Sequence, residues 1–250
     1  MTHMFIPGPV DVAPEVMQAM TKPMIPHRSK EFDELFKRTG EGMKKVYLTE
    51  SRVFQPPSSG SGMQEAAMRN LVDKDVLVCT NGAFADRWFE VAISNGKQAV
   101  RLNAEWGSVH TPDMLREALK ERHYEAVAIV HNETSTGAEN PVKELSAVIH
   151  EFSPDTLILV DAVSSLGGDK IEMDAWGVDV LVSGSQKAWM APPGAVRSAR
   201  SMPHRRSPTR KCACTSNRQP IAACSMARTR RLAGATSAFR RRFMIRRPTG

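Results

Sequence analysis

Apolar residues in this 250-residue chain gather in short, nearly unbroken runs at 53–54, 76–80, 99–102, 126–130, 157–160 and 178–182. These runs read as strands, and the one from Thr156 to Val160, five apolar or β-branched residues in a row, reads as a buried strand of a parallel sheet. Between them apolar positions recur at helical spacing, at about 62–72, 83–95, 112–121, 141–152 and 172–176. In the first of these, Ala66, Ala67, Asn70 and Leu71 repeat at three and four residues. Strand and helix alternate, which predicts an α/β fold: a mostly parallel, doubly wound sheet with helices on both faces.

In such sheets ligands bind at the carboxyl ends of the strands. The run at 178–182 is followed by Ser183-Gly-Ser-Gln-Lys187 and then a Pro-Pro-Gly turn ending at Gly194. A lysine held between a strand end and a rigid turn is positioned and partly desolvated, as a Schiff-base lysine must be. The run at 157–160 ends in Asp161, so an acid and a lysine close two successive strands. That pair suits pyridoxal phosphate, with a carboxylate against the ring nitrogen and a lysine on the aldehyde carbon. The alternative for Asp161 is a helix cap, and for Lys187 a solvated surface charge. A third element, Ser58-Ser-Gly-Ser-Gly62-Met63, leads into the helical pattern at 62–72. Its backbone N–H groups could receive a phosphate, although Gly-Ser runs are often only flexible turns. It lacks the Gly-Lys-Ser/Thr of a Walker motif and is not a dinucleotide fingerprint.

With Pro7-Gly-Pro-Val-Asp-Val12, Pro26-His-Arg-Ser29, Ser59-Gly-Ser-Gly62, Asn81-Gly-Ala-Phe84, His131-Asn-Glu-Thr-Ser-Thr-Gly137, Val160-Asp161 and Ser183 to Lys187 in this order, the chain resembles class V of the fold-type I pyridoxal-phosphate enzymes. Within it, the alanine-glyoxylate and serine-glyoxylate (serine-pyruvate) aminotransferases are the most similar branch. The resemblance covers about Phe5 to Gly194 and implies transamination between a small amino acid, of the alanine or serine type, and a 2-oxo acid such as glyoxylate or pyruvate. It implies pyridoxal 5'-phosphate as cofactor and a homodimer. Lys187 would carry the Schiff base and move the α-proton, and Asp161 would keep the ring nitrogen protonated. Phe84 would stack on the ring. Ser61, Gly62 and Met63 would hold the phosphate, with Gln186 beside it. Thr134 would lie near the ring hydroxyl, and Gly8 would line the substrate pocket. The lyase branch, typified by cysteine desulfurases, is the alternative. It needs a mobile cysteine and usually has histidines where Gln186 and Phe84 stand here.

Plainer readings remain for several residues. Phe84, Trp88 and Trp106 can be packing residues, and Met17 and Met20 core or interface filler. His131 reads as a satisfied strand-end histidine, with no histidine or cysteine at zinc spacing nearby. Cys79 falls inside a strand and reads as an inert core thiol.

Composition changes the picture after Gly194. Residues 195–250 hold fourteen Arg, one Lys and no Asp or Glu, a charge of +15. The whole chain carries +7, so residues 1–194 stand at −8. The expected organisation is a pyridoxal-phosphate-binding large domain at 1–194 and a basic, disordered, non-homologous tail at 195–250. The tail's Arg, Ala, Ser, Pro, Thr and Cys are what an out-of-frame reading of a G+C-rich gene gives. A nucleic-acid-binding arm is the weaker alternative, since the tail has no RGG or RS periodicity. The irregular set Cys212, Cys214, Cys224 and His204 does not make a zinc motif. On this reading the chain lacks the antiparallel last strand of the sheet and the small carboxyl-terminal domain, which predicts exposed strand edges, poor solubility and reduced turnover. No apolar run reaches membrane-spanning length and the amino terminus has no secretion-signal pattern, so a cytoplasmic protein is expected.

Overall fold

The computed structural model describes residues 3–200. A short helix α1 (Pro14–Ala19) and a long helix α2 (Lys30–Tyr47) precede strand β1 (Arg52–Phe54). Strands and helices then alternate: α3 (Gly60–Leu71), β2 (Asp75–Thr80), α4 (Ala83–Ser94), β3 (Gln98–Asn103), α5 (Pro112–Glu121) and β4 (Ala126–Val130). A small hairpin, β5 (Asn132–Glu133) and β6 (Ala138–Glu139), leads to α6 (Val142–Phe152), β7 (Leu157–Asp161), β8 (Val180–Gly184) and β9 (Val196–Arg200).

The main sheet has the order β1-β9-β8-β7-β4-β2-β3. The pairs from β8 through β7, β4 and β2 to β3 are parallel, and β9 runs antiparallel to β8 and β1. Successive side chains of a strand point to opposite faces, and the two cores divide accordingly. Leu77, Cys79, Val127, Ile129, Ile158 and Val160 pack with Tyr47 of α2, Leu115 of α5 and Leu145 and Ile149 of α6. Val76, Val78, Ala128, Val130, Leu159 and Val182 pack with Ala67, Met68 and Leu71 of α3 and Trp88 of α4. Helices therefore cover both faces, as the alternation predicted, and none among the described residues is long and apolar enough to cross a membrane.

Five expectations need correction. The sheet does not stop at β8. Residues 196–200 form β9, whose Ala199 and Ser198 are buried, so the antiparallel strand expected to be missing is present and covers the edge of β8. A strand needs only five residues and a waiting edge, which the basic composition concealed. Residues 173–177 form turns rather than the helix expected at 172–176, because Gly177 adopts a positive φ of 68°. On α3 the buried stripe is Gln64, Ala67, Met68 and Leu71, and Asn70 is exposed. Trp106 is exposed rather than packed, while Trp88 is fully buried. Met17 and Met20 are exposed, so neither fills this chain's core. The expectations for residues 201–250 lie outside the described residues.

Candidate active site

Helix α3 begins after a connection of five residues from β1, where Ser59 caps it. Its hydroxyl accepts from the Gly62 N–H at 3.1 Å, and its carbonyl receives the Met63 N–H. The first-turn N–H groups of Gly60 and Ser61 have no intrahelical acceptor and carry the positive end of the helix dipole. Side chains cannot be added here: a Cβ on Gly62 would lie 2.3 Å from the Ser58 hydroxyl, and one on Gly60 would lie 3.0 Å from Val163. Val163 also lies 3.2 Å from where a Gly184 Cβ would be. One side chain therefore ties the α3 terminus, the segment after β7 and the end of β8 together.

Asp161 ends β7 on the α3 face and is almost wholly buried. Its Oδ1 accepts from the Val163 N–H at 2.9 Å and its Oδ2 from Gln64 Nε2 at 2.6 Å. Burial pushes its carboxyl up to about 6, against the pull of those two hydrogen bonds; Glu133 adds to the rise and Lys187 opposes it. Gln64 was not singled out in the sequence, although a polar residue on the stripe 64, 67, 68, 71 signals a buried partner. Its Oε1 has no hydrogen-bond partner.

Lys187 follows β8 in a turn braced on all sides. The Ser185 hydroxyl donates to the Pro192 carbonyl at 2.7 Å, the Ala191 N–H to Ser185 O, and the Met190 N–H to Lys187 O. Trp189 Nε1 donates to the Ser183 hydroxyl at 2.7 Å. The side chain of Lys187 is buried, which lowers its ammonium pKa, while Asp161 acts in the opposite direction. Above it lies the amino-terminal segment, held by the Val10 N–H donating to Gln186 O at 3.1 Å. Gly8 touches the lysine stem, and its φ of +139° suits glycine. The Gln186 side-chain amide packs against Gly184.

Two further loops complete the strand-end surface. Glu133 is fully buried, and its carboxylate accepts from the Phe84 and Ala85 N–H groups and from the Ser135 N–H and hydroxyl. It thereby caps α4 and fixes Phe84, which is half-buried with the Arg87 guanidinium 5.1 Å from its ring centre. Thr134 shares a 2.5 Å hydrogen bond with Ser164. Direct contacts thus join Gly8, Gln186 and Lys187 in one group and join Asp161 to α3 through Gln64. Phe84 and Thr134 come in through Glu133 and Ser164, whereas Ser61 and Met63 enter by their place in the first turn of α3.

This arrangement is that of the large domain of fold-type I aminotransferases. Alanine–glyoxylate aminotransferase from Nostoc sp. superposes with a TM-score of 0.76 and 34% identity over 80% of this chain and 54% of that one. The family model for class-V aminotransferases matches residues 15–197, and the chain belongs to that family. It is 42% identical over 194 residues to an uncharacterized aminotransferase of Methanocaldococcus jannaschii, covering 76% of this chain and 50% of the relative. To a serine–glyoxylate aminotransferase of Methylorubrum extorquens it is 37% identical over 198 residues, 77% of this chain and 49% of the relative. The chain spans about half the length of the curated relatives it matches.

Proposed function

We propose that the chain binds pyridoxal 5'-phosphate between Lys187 and Asp161 and serves transamination between a small amino acid of the alanine or serine type and a 2-oxo acid such as glyoxylate or pyruvate. The observation that carries this reading is the buried lysine and buried carboxylate at the ends of adjacent strands, each perturbing the other's ionisation. The donor set fits the group. Asp161 is desolvated and lacks a full counter-charge, which a protonated ring nitrogen would supply. The glycine-lined start of α3 offers N–H donors to a phosphate.

When bound, pyridoxal phosphate supplies an aldehyde that condenses with amines and a protonated ring that accepts an electron pair from Cα. The chain's own part is to hold and to move protons. Burial enlarges the neutral fraction of the Lys187 amine, making it a nucleophile toward the aldehyde and then a base at Cα. Gln64 and the Val163 N–H aim the Asp161 carboxylate at the ring nitrogen. Ser61 would meet the phosphate through its first-turn N–H and its hydroxyl, with Gln186 beside it, whereas the N–H groups of Gly62 and Met63 are taken by Ser59. Phe84 would cover the ring, Thr134 would meet its hydroxyl, and Gly8 would leave room for substrate beside Lys187. Apolar side chains exposed near the amino terminus and on α2, among them Phe5, Met24 and Phe36, favour a homodimer.

Among the described residues the cysteine is Cys79, fully buried with its thiol pushed up to about 12, which does not suit the mobile cysteine of desulfuration. The test is a single turnover: the cofactor-loaded chain is mixed with L-alanine or L-serine and the absorbance followed. Loss of the visible band and growth of a near-ultraviolet one, restored by glyoxylate or pyruvate, is expected. A loaded chain inert to both amino acids would overturn the proposal.

A further inference from the structure

On the helix α6 side of the strand ends, outside the group around Lys187, three side chains from separate segments converge. His131 follows β4, Glu139 closes the hairpin β5–β6, and Asp169 lies in the connection from β7 to β8. One ligand atom from each lies within 4.8 Å of the others. They line a cavity of about 370 Å³ with Trp176 and Lys143.

His131 gives the cluster its chemistry. Its side chain is 4% exposed, and its Nδ1 is hydrogen-bonded to the Ser165 hydroxyl at 2.8 Å. The other nitrogen, Nε2, faces Asp169 Oδ2 at 3.8 Å and Glu139 Oε1 at 3.9 Å. Both are beyond hydrogen-bonding distance. In the tautomer with Nδ1 donating to Ser165, Nε2 turns its lone pair toward the two carboxylates, the arrangement in which the three groups can share a cation. Of the two lysines that line the cavity, Lys170 has its ammonium paired with Glu172 at 2.8 Å, and Lys143 makes no ion pair with Glu139 or Asp169 within 4 Å.

The observed spacing is close to what a cation needs. Ligand atoms about 2.1 Å from a tetrahedral zinc ion stand roughly 3.4 Å from one another. The two measured separations from Nε2 exceed that by about half an ångström, within the reach of two exposed carboxylates on loops. A histidine with one nitrogen fixed by a hydrogen bond and the other turned to the metal is how imidazole ligands are oriented.

We propose that His131 Nε2, Glu139 and Asp169 form a binding site for a divalent transition-metal cation of the zinc type. The ion would join the hairpin that carries Glu133 and Thr134 to the segment that follows Asp161 and Ser164, bracing the strand-end surface from beneath. The site stands on its own geometry and does not depend on the aminotransferase reading.

The experiment uses the untagged full-length chain with Cys212, Cys214 and Cys224 changed to Ser, so that thiols do not compete. The metal-free protein is titrated with Zn²⁺ by calorimetry and with Co²⁺ by visible absorption. One equivalent should bind, with Co²⁺ bands of low-symmetry N,O coordination and a rise in thermal midpoint. Glu139→Gln and Asp169→Asn should each weaken binding by roughly tenfold or more, since even partners outside the ligand set contribute that much. Glu144→Gln, at the same cavity but outside the cluster, should change nothing. Both exposed-ligand variants should keep the metal-free protein's circular dichroism and midpoint. Absence of stoichiometric binding, binding that survives the Glu139→Gln/Asp169→Asn double change, or equal sensitivity to Glu144→Gln would each overturn the site.

Discussion

Gly8 lies so close to Lys187 that any side chain at position 8 must collide with it: a Cβ there would stand 2.5 Å from the lysine Cδ and 3.1 Å from its Cε. The amino-terminal segment is thus the roof over the candidate nucleophile, fastened by the Val10 to Gln186 hydrogen bond. Gly8→Ala should displace the lysine by about an ångström, a scale of misplacement that costs about a hundredfold in rate. The rate at which the visible cofactor band develops should fall accordingly. The thermal midpoint should drop by only a few degrees, as expected for about 1 kcal/mol in a chain of this size.

Asp161 makes stability depend on pH in a definite sense. Its carboxyl rises from 3.8 to about 6 on folding. Between about pH 4 and 6 the folded chain keeps a proton that the unfolded chain has released, so stability falls as pH rises, and above 6 the penalty stays constant. Asp161→Asn removes it. In cofactor-free protein at about pH 7.5, above both the unfolded and the folded value, the variant should be more stable than the parent by up to about 3 kcal/mol. The difference should shrink toward pH 4, as denaturant unfolding at several pH values can show. Gln64, whose Oε1 lacks a partner, can turn over and accept from the new amide. The same variant should lose transamination.

Glu133 holds the start of α4 through the Phe84 and Ala85 N–H groups. Glu133→Ala leaves those donors and Ser135 without their acceptor and should cost about 3 kcal/mol in unfolding experiments. Glu133→Gln keeps one acceptor oxygen and should cost less. Both should weaken cofactor binding by freeing Phe84, visible as an increased dissociation constant in fluorescence titration.

Cys79 should be inert. Burial holds its thiol up to about 12, so in a chain with the other three cysteines changed to Ser, a thiol reagent at neutral pH should label it only after unfolding. Rapid native labelling would revive the lyase alternative.

The central parallel strands were legible because burial on both faces leaves little room for polar residues, as the runs Val76 to Cys79 and Ala126 to Val130 show. Asp161 and Lys187 were legible for the converse reason, as charges closing apolar runs. Helix α2 went unseen: Gly40 and Gly42 weaken its helical signal, and only Met43 and Tyr47 of its eighteen residues are buried. Strand β9 was hidden by arginines, since an alternating Val-Arg-Ser-Ala-Arg segment declares itself only when β8 and β1 offer edges. Gln64 and Glu133 act through partners 97 and about fifty residues away, pairings that local pattern cannot reveal. The two carboxylates facing His131 were missed likewise, because the strand-end histidine was judged only against histidine and cysteine spacing.

The most direct test of the account is reductive trapping. The chain is incubated with pyridoxal 5'-phosphate, reduced with borohydride, digested and mapped by mass spectrometry, with Lys187→Ala in parallel. The account predicts one dominant adduct, on Lys187, absent from the variant, with other lysines modified only in trace. Adducts scattered over exposed lysines and equal in the variant, or none at all, would contradict it.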